Sequence, residues 1–167
     1  MNTTSNRPDS ATRAWVRNAL ALLEQEATRS ADTHLLRLDF PGFPDIAFYF
    51  KDEASHPTGS LKHRLARSLY LYALCNGRLQ PGQTVVDASS GSTAISEAWF
   101  ARLLGLPFIA VMPACTAPQK ILDVQALGGQ CDLVEDPAQV HARAAEHAAN
   151  GACHLDQFGL AERATDW

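Results

Sequence analysis

The segment His56-Pro57-Thr58-Gly59-Ser60-Leu61-Lys62-His63-Arg64 is a turn that opens into a helix with three basic side-chain types at its front end. Helix N-termini carry partial positive charge and unpaired N–H groups, so cations are misplaced there. The arrangement makes sense if an anion docks at the turn, or if Lys62 sheds its proton and acts as an amine. An amine of that kind suits Schiff-base chemistry with an aldehyde cofactor. The competing reading is a solvated basic face. A second stretch, Ser89-Ser90-Gly91-Ser92-Thr93, follows an apolar run and precedes a helical one. Its hydroxyls, its glycine and the free N–H groups of a helix start suit a carboxylate or a phosphate. A well-capped helix start would read the same way.

Other chemistries fit less well. There is no Gly-Lys-Ser/Thr phosphate loop, no dinucleotide glycine spacing and no Gly-x-Ser-x-Gly elbow. His141, His147, Cys153 and His154 lack a metal-ligand spacing, and the first two fall on an amphipathic stretch that reads as surface-facing. Cys115 has no histidine beside it at a helix start, so it reads as a core or loop residue. Trp15, Trp99 and Phe100 read as helix packing.

The elements that must position these residues follow from apolar periodicity and turn chemistry. Residues 1–9 read as disordered. Ser10 caps a helix to about Arg29, with Trp15, Ala19, Leu20, Leu22 and Leu23 forming its apolar stripe. Leu35-Leu36-Arg37-Leu38 is strand-like. From Ile46 a regular alternation is expected: strand Ile46–Phe50, helix Ser60–Cys75, strand Thr84–Ala88, helix Thr93–Leu104, strand Phe108–Met112. Pro118 starts a helix that Gly128-Gly129 ends, then come strand Cys131–Val134, helix Pro137–Ala149 and a short strand Cys153–Leu155. Glu162-Arg163-Ala164-Thr165-Asp166 reads as a polar run with no closing element. Alternating strands and helices with unbroken apolar strands predict an α/β fold, a parallel sheet flanked by helices on both faces. Ligands bind such sheets where loops leave the carboxyl ends of strands.

Composition bounds the function. The chain has 167 residues, 46% of them hydrophobic and 19% charged, as in an ordinary globular domain. A net charge of −4 without a basic stripe argues against nucleic acid as a partner. No apolar run reaches membrane-spanning length, and the polar start lacks a signal-peptide core. The cysteines Cys75, Cys115, Cys131 and Cys153 are widely spaced, mostly in apolar surroundings. They read as reduced packing residues, which points to the cytoplasm.

With Lys62 and the Ser89–Thr93 loop in hand, the chain from about Phe48 to Phe158 resembles the cysteine synthase family of pyridoxal-phosphate enzymes, the tryptophan synthase β-like, fold type II group. Lys51-Asp52-Glu53 leading to Pro57-Thr58-Gly59-Ser60-Leu61-Lys62 is similar to that family's Pro-Thr-Gly-Ser-hydrophobic-Lys signature. The resemblance implies that Lys62 bonds the cofactor pyridoxal 5'-phosphate and acts in catalysis. Ser89-Ser90-Gly91-Ser92-Thr93-Ala94 is similar to the loop that holds the substrate carboxylate, which implies substrate contacts for Ser89, Ser90, Gly91 and Thr93. Ser92 falls on the asparagine that contacts the cofactor ring hydroxyl. Val111-Met112-Pro113 and Asp156-Gln157-Phe158 match further landmarks, and Gln157 falls near the substrate.

Three positions depart from the family pattern: Ser92 replaces the asparagine, His63 the aspartate after the lysine, and Ala94 the loop's closing glycine. These variants resemble a subgroup of bacterial L-cysteine desulfhydrases, as do Arg29 to Leu35 and Ala161 to Trp167. The expected activity is therefore release of sulfide from cysteine, leaving pyruvate and ammonia. Cysteine synthase, making cysteine from O-acetylserine and sulfide, is the alternative within the enzyme class. The partners expected are an amino-acid substrate and, for the full-length enzyme, a second copy in a homodimer. Family members run to about twice this length, so the chain reads as an amino-terminal half without the glycine-rich phosphate cradle. That feature raises a different class of function, an inactive half-domain. The organisation expected is a helix and connecting segment over 1–45, the cofactor domain over 46–158 and a truncated continuation over 159–167.

Overall fold

The computed structural model describes residues 9–30 and 32–165. The expected disorder of residues 1–8 lies outside them. Helix α1 spans Ser10–Ser30. Its cap is Asp9 and not Ser10: the Asp9 carboxylate accepts the Thr12 amide at 2.7 Å. The buried face of α1 is Ala19, Leu23 and Glu26, spaced for one side of a helix, whereas Leu22 lies off that face and is exposed.

Strands β1 (Leu35–Leu38) and β2 (Phe48–Lys51) form a separate antiparallel hairpin, with Leu35 opposite Lys51 and Leu38 opposite Phe48. The strand expected at Ile46–Phe50 therefore does not open the parallel sheet. Residues 39–47 between the two strands carry Pro41 and Pro44 and hold no helix, and a parallel pairing needs a long crossover. Leu35, Leu36, Leu38, Phe43, Ile46, Tyr49 and Phe50 stay exposed on this hairpin.

Helix α2 (Lys62–Cys75) ends at Asn76-Gly77, where Gly77 adopts φ 66°. The alternation then runs β3 (Val85–Ala88), α3 (Ser92–Leu104), β4 (Phe108–Pro113), α4 (Pro118–Ala126) and β5 (Gln130–Val134). It closes with α5 (Val140–Ala149), β6 (Cys153–His154) and α6 (Gln157–Thr165). Two expectations need correction. Pro137–Gln139 is a 3-10 turn and not the start of α5, because the Asp136 carboxylate accepts the Ala138 amide at 3.0 Å and tightens the chain there. Of the polar run, Glu162 to Thr165 belong to α6, with Leu160 and Ala164 giving it an apolar side against the core, and Asp166 lies outside the described residues.

The four-stranded sheet has the order β5-β4-β3-β6 with every pairing parallel. Alternate residues of β3 serve opposite faces. Val85 joins Leu69, Tyr70, Phe100 and Leu23 beneath α1, α2 and α3. Val86 and Ala88 pack with Val140 and Ala144 of α5 on the other side. After β3 the chain moves outward to β4 and β5, then α5 carries it back to β6 on the far side of β3. The carboxyl ends of β3 and β6 thus flank the point where strand order reverses, where open α/β sheets bind ligands.

Candidate functional site

Lys62 is the first residue of α2, half-buried, with its backbone amide donating to Ser60 Oγ at 3.2 Å. Its Nζ has no hydrogen bond or ion pair among the described residues. The preceding turn depends on Gly59, at φ 65°, a conformation side chains with a Cβ rarely adopt. Its cationic neighbours are not a solvated face. His63 is fully buried and contacts Glu26 through Nε2 at 2.9 Å. Arg64 grips Glu53 with Nε at 2.7 Å and a terminal nitrogen at 3.0 Å. Hydrogen bonds from Arg64, then from Thr33, hold the Glu53 carboxyl well below the usual carboxylate range. Two carboxylates brought from outside the turn thus neutralise charges that a helix start disfavours, and they leave Lys62 as an unpaired amine.

The Ser89–Thr93 loop sits at the carboxyl end of β3, as expected. Its five residues do different things. Ser89 extends the sheet by donating its amide to Val111 O at 3.0 Å, while its Oγ accepts the Ala94 amide at 3.2 Å. That hydroxyl is committed to holding the loop. Ser90 is exposed, Thr93 is buried, and the amides of Gly91, Ser92 and Thr93 have no acceptor among the described residues. Gly91 has a negative φ of −121°, and a Cβ built on it would meet nothing within 4 Å. Neither a positive φ nor packing requires glycine there, and the space above those amides is open. A pocket of about 320 Å³ lies over the loop, lined also by Pro113, His141, Gln157 and Phe158.

Thr58 brings the two motifs together. Its hydroxyl contacts Ser96 Oγ on α3 at 2.9 Å and His63 Nδ1 at 3.1 Å. Ser96 in turn donates to Ser92 O at 2.8 Å. The turn bearing Lys62 is therefore hydrogen-bonded to the helix whose N-terminus forms the loop.

Gln157 arrives from β6 and α6. Its backbone amide donates to Asp87 Oδ2 at 3.3 Å, and its side-chain amide donates to Ala88 O at 3.1 Å. The residue before it, Asp156, adopts φ 49°, uncommon for a non-glycine residue and costing on the order of 1–3 kcal/mol. Its Oδ1 accepts the Gly159 amide at 3.1 Å, which starts α6 in the direction that turns Gln157 onto β3.

Asp87 itself was not a candidate from sequence, although an acid inside a buried apolar strand is a visible signal. It is 1% exposed and also accepts His154 Nε2 at 3.2 Å. Glu97 of α3 faces it, wholly buried, with neither carboxyl oxygen partnered by a donor. Burial, then the Asp87 charge, push the Glu97 carboxyl well above its ordinary value, so it stays protonated beside that carboxylate. Glu26 was likewise missed; its place on the buried face of α1 was the available sign.

The remaining candidates are dispersed. Among the described residues no group of acids, histidines and cysteines is arranged to hold a metal ion. His147 pairs with Asp132 at 2.6 Å, and His141 packs edge-on against Phe158. Cys75 and Cys115 are exposed, contrary to the apolar surroundings expected, because Cys75 ends α2 and Cys115 lies in the turn after β4. No helix among the described residues is long and apolar enough to cross a membrane.

Known proteins are similar to this chain in sequence and fold. Over 163 residues the chain is 58% identical to the L-cysteine desulfhydrase Cds1 of Mycobacterium tuberculosis, covering 95% of this chain and 44% of that protein. A putative cysteine synthase of Sinorhizobium fredii is 43% identical over 103 residues, 62% of this chain and 30% of the relative. The crystal structure of a hydrogen sulfide-producing enzyme of Fusobacterium nucleatum superposes with a TM-score of 0.72 at 22% identity. That match covers 82% of this chain and 42% of the enzyme's, and shows a common fold. The chain thus spans less than half the length of each of these relatives. A family model described as "Pyridoxal-phosphate dependent enzyme" matches residues 28–165, a span holding Lys62, the Ser89–Thr93 loop and Gln157, and the chain belongs to that family.

Proposed function

We propose that the protein works at the β-carbon of cysteine as an L-cysteine desulfhydrase, converting cysteine and water to pyruvate, ammonia and sulfide. The observation that carries this reading is the 58% identity to a desulfhydrase, over an alignment covering 95% of the chain and hence both site motifs. The residues present fit the cofactor. Lys62 offers a half-buried primary amine with no competing partner among the described residues. Gly91 leaves space beside three free amides that neither strain nor packing explains.

Pyridoxal phosphate, when bound, supplies the electron sink that makes the substrate's α-proton acidic. The chain's own residues do the rest. Lys62 would be the catalytic residue: its amine would hold the cofactor and, when free, would take the proton from the substrate's Cα so that sulfide can leave the β-carbon. The amides of Gly91 and Thr93, with the Ser90 and Thr93 hydroxyls, hold the substrate carboxylate. Their position at the N-terminus of α3 favours a negative charge. Ser89 contributes to that subsite through its cap, and Gln157 closes it from the β6 side. Ser92 meets the cofactor ring with a shorter reach than an asparagine would have. The cytoplasm suits this chemistry, since all four cysteines are free thiols. A homodimer would cover the apolar hairpin of β1 and β2.

Product analysis tests the proposal. With pyridoxal phosphate and cysteine alone, the protein should release sulfide and pyruvate in equal amounts. Cysteine formed from O-acetylserine plus sulfide, with no pyruvate from cysteine, would assign the synthase reaction that the 43% identity to a putative cysteine synthase favours. Neither product is the result for a binding half-domain.

A further inference from the structure

The contacts joining the two motifs run through side chains with one proton each, so their directions can be counted. Ser96 has a single hydroxyl proton, and it is given to the Ser92 carbonyl at 2.8 Å, which can only accept. The contact of 2.9 Å between Ser96 and Thr58 must then be donated by Thr58. Thr58 has no second proton, so the 3.1 Å contact to His63 Nδ1 must be donated by the imidazole. At its other nitrogen, Nε2, His63 lies 2.9 Å from Glu26 Oε1. Glu26 also accepts Arg67 Nε at 2.6 Å and the Ser30 hydroxyl. Against the effect of burial these donors and the Arg67 charge hold its carboxyl down to about 2, so it is ionised and accepts from His63. With Glu26 ionised, all four contacts hold together only when both ring nitrogens carry hydrogen.

We propose that His63 is a doubly protonated positioning residue, ion-paired with Glu26, that locks the Lys62 turn to the start of α3 through Thr58 and Ser96. The inference rests on the reading that Lys62 and the Ser89–Thr93 loop form one site, but the protonation state stands apart from it. The surroundings fit a buried cation. Glu26 of α1 and Arg67 of α2 complete a buried charge cluster. From α3 two aromatic rings lie against the imidazole, Trp99 at 4.9 Å in a T-shaped contact and Phe100 at 4.7 Å in a tilted one, a contact type open to a cation. His56 stacks on it at 5.2 Å with Nδ1 unpartnered and Nε2 on Glu53, the arrangement of a neutral ring beside a charged one.

Nitrogen-15 NMR of the protein, with the His63 signals assigned by their loss in His63→Gln, reads the state directly. At neutral pH both His63 nitrogens should resonate as protonated imidazolium. A lone-pair nitrogen at either position overturns the proposal. Ser96→Ala removes the acceptor that fixes the direction of the chain and lets the Thr58 proton turn to Nδ1. In that variant Nδ1 should lose its proton at neutral pH, and an unchanged spectrum overturns the counted chain. If the site reading also holds, Thr58→Val should lower kcat for cysteine on the order of tenfold, the loss of about one hydrogen bond, with Thr58→Ser restoring it. Equal kcat for Thr58→Val and Thr58→Ser would remove the positioning role and leave the protonation result untouched.

Discussion

A lysine that bonds a cofactor is judged by what its neighbours leave it free to do. Lys62 has no partner among the described residues, while His63 and Arg64 are each bound to a buried or half-buried carboxylate. Borohydride reduction of the protein with pyridoxal phosphate should fix the cofactor to the peptide containing Lys62, seen by mass. Lys62→Ala should abolish turnover and Lys62→Arg should do little better, because arginine keeps its proton. Within the loop, Ser90→Ala and Ser89→Ala should separate. The first removes a donor to the substrate and should raise the Kd for cysteine roughly ten- to hundredfold. The second removes a cap on the Ala94 amide and should appear as lost stability of about 1 kcal/mol in urea unfolding. Glu97 adds a pH signature. Its carboxyl is neutral in the fold and ionises more readily when unfolded, so its support is full below about pH 4.5 and declines as pH rises. Glu97→Gln keeps a neutral side chain there at every pH, so its stability relative to the parent should grow between about pH 5 and 8 in urea titrations.

At the scale of elements, α1 is held to α2 by its apolar face and by Glu26. Burial pushes the Glu26 carboxyl up, but hydrogen bonds from His63, Arg67 and Ser30 outweigh it and hold its pKa down to about 2. Its stabilisation is therefore full above the ordinary value of about 4.5 and is lost as pH falls through about 2, in total about 3 kcal/mol. Acid titration followed by tryptophan fluorescence should show Trp15 and Trp99 losing their environment in that window, and Glu26→Gln should reduce the dependence, leaving the part that Glu53 supplies. These elements also show what was readable beforehand. Helix α3 ends at Gly105 and α4 begins at Pro118 as their local chemistry dictates. Local signals could not place β2, whose residues suit any strand and whose partner was decided by the proline-bearing connection. The ion pair of Glu26 with His63 joins residues 37 apart in sequence, so nothing in either segment announces it. The two motifs were readable because each is contiguous. Their attachment through Thr58 and Ser96, 38 residues apart, was not.

For the molecule as a whole, the hairpin is the surface that asks for company. Leu36 faces Phe50 and Leu38 faces Phe48 across the ladder, so one side is apolar while the other mixes Arg37 and Lys51 with Leu35 and Tyr49. Phe40 and Phe43 add their rings to Phe48. Such a patch drives association, so Phe50→Lys should shift sedimentation profiles of the 167-residue chain toward monomer. Unchanged profiles would place self-association on another surface. The return of the chain from β5 to β6 has a consequence in time. Strand β3 is synthesised long before its edge partner, and Asp87 meets His154 and the Gln157 amide across separations of 67 and 70 residues. At about 5–20 residues per second, the ribosome needs roughly 4–14 s to supply them. Throughout that interval β3 lacks its β6 neighbour, and Asp87 lacks its His154 and Gln157 partners. The order of synthesis thus leaves an unpaired strand edge open to association with other chains until β6 emerges.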